Sequence, residues 1–321
     1  MRAPRRGRTG AVGLGLTLGL VALVYGLGGV ALTVEQEALV FPAPKVDRAT
    51  LHARALAAGA EEVALVAADG THLYAWHRAA AFTPPAGPRA VLLFHGNAET
   101  VYTRQPVQDA LVAAGWEVFV VAYRGYPGSE GESGEAGIRL DGLAAWDWLS
   151  ARVPRDRIAI HGKSLGGGVA ALIAEEVQPR ALVLESTFQS VPAAGRDYAP
   201  IYPTDLMMRV RFDTRERAPR ITCPVLVVHG TKDHTIRVRH GRALPRFFPH
   251  ATYVEVEGGD HNTNFTLSDP VAAAAWWALL EEAAPAGEPS APVGQTPAVE
   301  PSAPVGQTPA VEPSPPAVEP G

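Results

Sequence analysis

Ile158-Ala159-Ile160-His161-Gly162-Lys163-Ser164-Leu165-Gly166-Gly167-Gly168 is the stretch on which the reading of this chain turns. An apolar run enters a glycine-flanked turn, and Val169 to Val177 continues with helical composition, so the pattern is strand, sharp turn, helix. A serine on such a turn is held in strained backbone geometry with its hydroxyl projecting above the sheet, while Gly162 and Gly166 let strand and helix backbones pass closely. The same letters also resemble the end of a phosphate-binding loop. That loop needs a glycine five positions before Gly162, where Arg157 stands, and Ile158 to Ile160 occupy what would have to be its glycine-rich part. Ser164 is thus read as a nucleophile and Gly162 and Gly166 as the glycines of its elbow.

A serine hydroxyl is a poor nucleophile at neutral pH and needs a base and a group that orients the base. Val225-Leu226-Val227-Val228-His229-Gly230-Thr231-Lys232-Asp233 ends a strand in a loop that would present Asp233 at the same sheet edge as Ser164. Val254-Glu255-Val256-Glu257-Gly258-Gly259-Asp260-His261 does the same for His261. The order Ser, Asp, His is one of three known triad orders. Val91-Leu92-Leu93-Phe94-His95-Gly96-Asn97 ends a third strand, where the Asn97 amide would face the Leu165 amide as an oxyanion hole. His95 is read as a structural ring, and Asp260, Asp205, Asp213, His229 and His240 are set aside as triad members.

Around these motifs, residues 60 to 284 alternate short β-branched runs with helical patterns, as in a mostly parallel α/β sheet with helices on both faces. Eight strands are expected: Val63 to Val66, Leu73 to His77, Val91 to Phe94, Glu117 to Ala122, Ile158 to Ile160, Ala181 to Leu184, Val225 to Val228 and Thr252 to Val256. Asp69-Gly70 makes the first two a hairpin. Helices are expected near 100–114, 135–151, 165–177, 236–248 and 269–283, and a short cap at about 191–217.

The ends have another character. Residues 1–10 carry Arg2, Arg5, Arg6 and Arg8, and residues 11–34 are uncharged. As a helix that run would reach about 36 Å, enough to span a bilayer. Arginines before it and Glu35 and Glu37 after it orient the N-terminus inward, so a single-pass transmembrane signal anchor with the remainder outside the cytoplasm is expected. A cleaved signal peptide, ending near Gly29-Val30-Ala31, is the alternative and gives a secreted or periplasmic protein. Residues 285–321 form a proline-rich tail in which Ser-Ala-Pro-Val-Gly-Gln-Thr-Pro-Ala-Val-Glu-Pro occurs at 290–301 and 302–313. Such density of proline opposes helix and sheet, so disorder is expected there, with the tail's partner open.

Composition narrows the function. Of 321 residues 47% are hydrophobic, enough for one large core, and a net charge of −5 offers no basic field for nucleic acid. Cys223 is the only cysteine, which excludes an internal disulfide and a cysteine metal site, and it reads as a buried filler.

Taken together, Leu39-Val40-Phe41-Pro42, His95-Gly96-Asn97-Ala98, Tyr123-Arg124-Gly125-Tyr126, Gly162-Lys163-Ser164-Leu165-Gly166-Gly167, Cys223-Pro224-Val225-Leu226 with His229-Gly230 and Asp233, and Gly258-Gly259-Asp260-His261-Asn262 resemble the α/β-hydrolase superfamily. Within it they are most similar to the membrane-anchored bud-emergence-type branch, over residues 36–284. The sequence departs at Ala122, where members often carry aspartate, and at His234, where they usually carry an acid. The resemblance implies a serine hydrolase of ester or thioester bonds, with no cofactor or metal, acting on a small-molecule or lipid-like acyl substrate. A serine peptidase or amidase of the same fold and a noncatalytic membrane-anchored interaction protein are the alternatives.

Overall fold

The computed structural model describes the backbone of residues 8–282 and the side chains of 17–30 and 33–281. Residues 1–7 of the basic N-terminus and the proline-rich tail expected at 285–321 lie outside the described residues.

Eight strands form one sheet in the order β1-β2-β4-β3-β5-β6-β7-β8. They are β1 (Glu61–Val66), β2 (His72–Arg78), β3 (Ala90–Phe94), β4 (Glu117–Val121), β5 (Ile158–Lys163), β6 (Leu182–Glu185), β7 (Val225–Gly230) and β8 (Ala251–Val256). Every strand expected from the sequence is present within a few residues. The β1-β2 hairpin turns at Gly70, whose φ of 86° suits glycine. β2 also runs antiparallel to β4, and the remaining five pairings are parallel. Strands β3, β5, β6 and β7 are buried at every position, as parallel strands covered on both faces must be.

The described helices are α1 (Arg8–Val34), α2 (Gln36–Val40), α3 (Arg48–Ala58), α4 (Gln105–Ala113), α5 (Glu135–Ser150), α6 (Leu165–Val177), α7 (Val191–Tyr198), α8 (Thr204–Met207), α9 (Thr214–Arg217), α10 (Arg239–Ala243), α11 (Phe265–Ser268) and α12 (Pro270–Glu282). Two differ from expectation. The helix expected near 100–114 begins only at Gln105, with Pro106 in its first turn where a missing N–H is harmless. The one expected over 236–248 shortens to α10 and tightens into a 3₁₀ turn at Leu244–Phe247, because Pro245 cannot continue an α-helical ladder. An unexpected helix, α3, is set by its caps: Asp47 accepts from the Thr50 amide at 2.7 Å and Gly59 closes the end at φ 60°.

The membrane-crossing anchor expected over 11–34 is not found as such. Residues 8–34 do form the single helix α1 and Leu18, Leu20, Val21, Leu23 and Val24 are exposed on it, but its described side chains start at Thr17. Among the described residues no helix is long and apolar enough to cross a membrane.

The cap is α7 to α9. Gln36 Oε1 accepts the amides of Arg209 and Val210, and Glu135 accepts that of Arg211, which ties the cap to α2 and α5. Phe41, of the Leu-Val-Phe-Pro motif, meets Phe212 edge to face at 6.2 Å. Tyr202 stacks on Tyr25 of α1 at 4.7 Å.

Candidate active site

The parallel strands end together along one sheet edge, and the turns after β3, β5, β7 and β8 carry the residues singled out above. Ser164 follows β5 at φ 54°, ψ −121°, a backbone conformation that a non-glycine residue rarely adopts. The turn is over-determined by its neighbours. The Ser164 amide donates to Glu185 O at 2.9 Å, and Thr187 Oγ1 donates to Ser164 O at 2.7 Å. A Cβ on Gly162 would lie 2.1 Å from Gly166 O, and one on Gly166 would lie 2.1 Å from Phe94 O. The two glycines are a steric condition for packing the elbow against β3.

His261 bridges the two other candidates. Its Nε2 is 3.1 Å from Ser164 Oγ and its Nδ1 is 2.8 Å from Asp233 Oδ2. With the proton on Nδ1, the ring donates to Asp233 and accepts from Ser164, the orientation a general base needs. The loops meet because β7 and β8 are neighbours and their ends touch through backbone: a Cβ on Gly230 would sit 2.2 Å from Gly259 O. Asp233 is fixed by its own turn, Oδ1 accepting the amides of Thr235 at 2.9 Å and Ile236 at 2.8 Å. Burial pushes the Asp233 carboxyl up, but hydrogen bonds from His229 and His261, the nearby His261 charge and the Ile236 amide together hold it well below the usual carboxylate range.

The other acids lie elsewhere. Asp260 caps its own loop at Asn262 and Thr263, Asp213 caps α9, and Asp205 pairs with Arg196 on the cap surface. His234 is exposed, and His240 is buried against Asp197. His229, a core or surface position by the sequence, touches the site: its Nε2 lies 2.7 Å from Ile236 O and 3.3 Å from Asp233 Oδ2. It locks the aspartate turn from beneath. The signal was its place at the end of β7, four residues before Asp233.

Neither the Asn97 nor the Leu165 amide donates to an acceptor among the described residues. Leu165 is the first residue of α6, where amides have no intrahelical partner. His95 is 2% exposed, with Nδ1 2.8 Å from Gly96 O and its ring against Tyr123 and Tyr126, which fits a structural role. Glu99 and Lys163, not singled out from the sequence, also meet here, at 3.0 Å. Arg124 of the Tyr-Arg-Gly motif is structural too, joining Asp141 and Asp69, so the missing aspartate at Ala122 leaves it well partnered. Cys223 is buried, which pushes its thiol up to about 12, as suits a filler. Among the described residues no group of three or more His, Cys, Asp or Glu side chains is arranged to hold a metal ion.

Residues 87–204, which include Asn97 and Ser164 but end before Asp233 and His261, match the family described as "Serine aminopeptidase, S33". The chain is 30% identical over 273 residues to the alpha/beta hydrolase domain-containing protein WAV2 of Arabidopsis thaliana, covering 75% of this chain and 87% of that protein. It is 31% identical over 184 residues to the lysophosphatidylserine lipase ABHD12 of Macaca fascicularis, covering 50% of this chain and 45% of that one. In structure it is similar to the Pyrococcus furiosus esterase Pf2001, with a TM-score of 0.57 at 18% identity over 71% of this chain and 93% of that one, a likeness of fold. Fold, strand order and relatives agree: the chain belongs to the α/β-hydrolase superfamily.

Proposed function

We propose that this hydrolase cleaves carboxylic ester or thioester bonds through an acyl-enzyme on Ser164, with His261 as base and Asp233 as its orienting acid. The observation that carries the reading is the single imidazole standing 3.1 Å from Ser164 Oγ and 2.8 Å from Asp233 Oδ2. As Ser164 Oγ attacks the acyl carbon, its proton passes to His261 Nε2, and the carbonyl oxygen takes up negative charge facing the Asn97 and Leu165 amides. Removing one such donor typically costs about 3 to 4 kcal/mol in the transition state. Collapse expels the alcohol or thiol, which takes the proton from His261. Water, deprotonated by the same ring, then releases the acid and restores Ser164. The ionised Asp233 holds the ring in the required tautomer and stabilises it when charged. The sequence requires no metal or cofactor for these steps.

The acyl group is the substrate's aliphatic part in this reading. Support comes from the lipase ABHD12 among the relatives and from the short cap, which exposes Tyr198, Ile201 and Leu206. An N-terminal anchor through 11–34, with the catalytic domain outside the cytoplasm, goes with it, supported by the uncharged run and the arginines that precede it. The family description over 87–204 favours one second reading, a peptidase acting on aminoacyl amides.

Fluorophosphonate labelling of the full chain, abolished in Ser164→Ala, is the expected result. A protein that is folded and unlabelled would instead be a noncatalytic interaction protein, and labelling that persists in the variant would move the site. Short- and medium-chain p-nitrophenyl esters should be cleaved faster than a panel of aminoacyl p-nitroanilides; the reverse order selects the peptidase.

A further inference from the structure

Lys163 and Glu99 occupy a place the steps above do not use. Lys163 is the last residue of β5 and directly precedes Ser164, while Glu99 lies two residues after Asn97. Lys163 is 5% exposed and the Glu99 side chain 15%, so the pair sits away from bulk water at the base of the site. One carboxylate serves both strand ends: Glu99 Oε2 accepts the Gly96 amide at 2.8 Å, and Glu99 Oε1 accepts from Lys163 Nζ at 3.0 Å. The residues between them are tightly constrained, with Ala98 at φ 46° and Phe94 paired to Gly162 across β3 and β5. Resting on the acyl-enzyme reading, we propose that Lys163 and Glu99 are positioning residues. They form a brace from the nucleophile elbow to the oxyanion loop, which aims the Asn97 amide and neutralises Glu99, a carboxylate that would otherwise oppose the developing oxyanion.

Two consequences of the geometry support this. With its carboxylate fixed on the Gly96 amide, Glu99 holds the His95–Gly96 peptide, one before the peptide that carries the Asn97 N–H, and His95 Nδ1 lies 2.8 Å from the carbonyl of that next peptide, Gly96 O. An aim error there matters because a donor must meet the oxyanion rather than the ground-state carbonyl. Second, Glu99 is ionised. Burial raises its carboxyl, but Lys163, Arg104 and the Gly96 amide outweigh burial and bring it below its ordinary value. A bare negative charge in this low-dielectric pocket would repel the forming oxyanion, and the adjacent ammonium cancels it. A purely structural ion pair would predict a loss of stability with kcat unchanged in the folded fraction.

The test uses steady-state hydrolysis of a p-nitrophenyl ester and the fluorophosphonate labelling rate, both on full-chain protein shown to be folded by circular dichroism. Lys163→Met should lower kcat about 30-fold or more with KM within about threefold, and the labelling rate should fall in parallel. Lys163→Arg should keep at least about a third of kcat, and the double variant Lys163→Met/Glu99→Gln, which removes the exposed charge while keeping an acceptor for Gly96, should recover about tenfold over the single. Should Lys163→Met fail to fold, Glu99→Ala, which leaves the elbow untouched, should still cost kcat about tenfold at unchanged KM. The brace is overturned if folded Lys163→Met or Glu99→Ala keeps kcat within about threefold, if KM carries the loss, or if the double variant is no better than the single. Failure of the underlying reading looks different: Ser164→Ala would remain active or labelled.

Discussion

Residues 162–168 are buried throughout, and a Cβ added to any of their four glycines would collide with a neighbour, whereas the cap over 191–217 leaves Tyr198 at 65%, Ile201 at 68% and Leu206 at 87% exposure. The elbow is fixed by backbone against backbone. The cap is joined largely through side chains, among them Gln36 to the amides of Arg209 and Val210, Glu135 to that of Arg211, Phe41 to Phe212 and Tyr25 to Tyr202. The difference teaches that the two regions are built to different tolerances.

That contrast can be broken at graded strength. Ser164→Ala should reduce ester hydrolysis about 10⁴-fold or more at unchanged melting temperature, read by steady-state kinetics. Asp233→Asn, which loses the tautomer selection on His261, should reduce kcat about 10³- to 10⁴-fold, and measurable recovery by His229 alone would refute the assignment. Gly162→Ala should destabilise the fold by about 3 kcal/mol or more, since its methyl would overlap Gly166 O; a chemical-denaturation midpoint within error of the parent would show that the elbow can yield. At the small end, Ile201→Ser with Leu206→Ser should change stability by less than about 0.5 kcal/mol and leave turnover of a short acyl ester nearly unaltered, while shifting chain-length preference away from longer acyl groups.

A pH experiment probes the layer under the elbow. Glu185 is fully buried, and burial alone would raise its carboxyl, but Arg104 and His161 beside it hold it well below the ordinary carboxylate value. Its folded form is therefore depressed relative to an unfolded glutamate near about 4.3. The stabilisation is complete above that pH and is lost as acid protonates the group. Glu185→Gln should lower the melting temperature at neutral pH and flatten its fall between about pH 5 and pH 3, measured by scanning calorimetry.

Much of the fold could be read from the sequence because its signals are local. Short apolar runs mark the strands, and Asp69-Gly70 marks the hairpin. Ser164, Asp233 and His261 can be proposed for the same reason, each lying just after such a run, and the structure brings their side chains within hydrogen-bond distance. The start of the 100–114 helix and the break in the 236–248 helix were missed because proline acts there through hydrogen-bond accounting rather than through periodicity. Helix α3 was missed although Asp47, Thr50 and Gly59 cap it and Leu51, Ala55 and Ala58 share its buried face, a pattern that was readable. His229 carried a readable signal, four residues before Asp233, but Glu99 and Lys163 could not be found this way. Each matters through a partner on another strand end, and no spacing along one segment reveals that Lys163 meets a carboxylate 64 positions earlier.

The conformation of Ser164 has a further consequence. A residue held at φ 54°, ψ −121° costs about 1 to 3 kcal/mol that a side chain lacking Cβ would not incur. Ser164→Gly should therefore melt higher than the parent while hydrolysing nothing. Selection for thermal robustness alone would erase the proposed nucleophile, so in a library screened only for soluble, heat-resistant protein this position should drift toward glycine. A serine persisting there under such a screen would mean that the elbow's neighbours have already absorbed its strain.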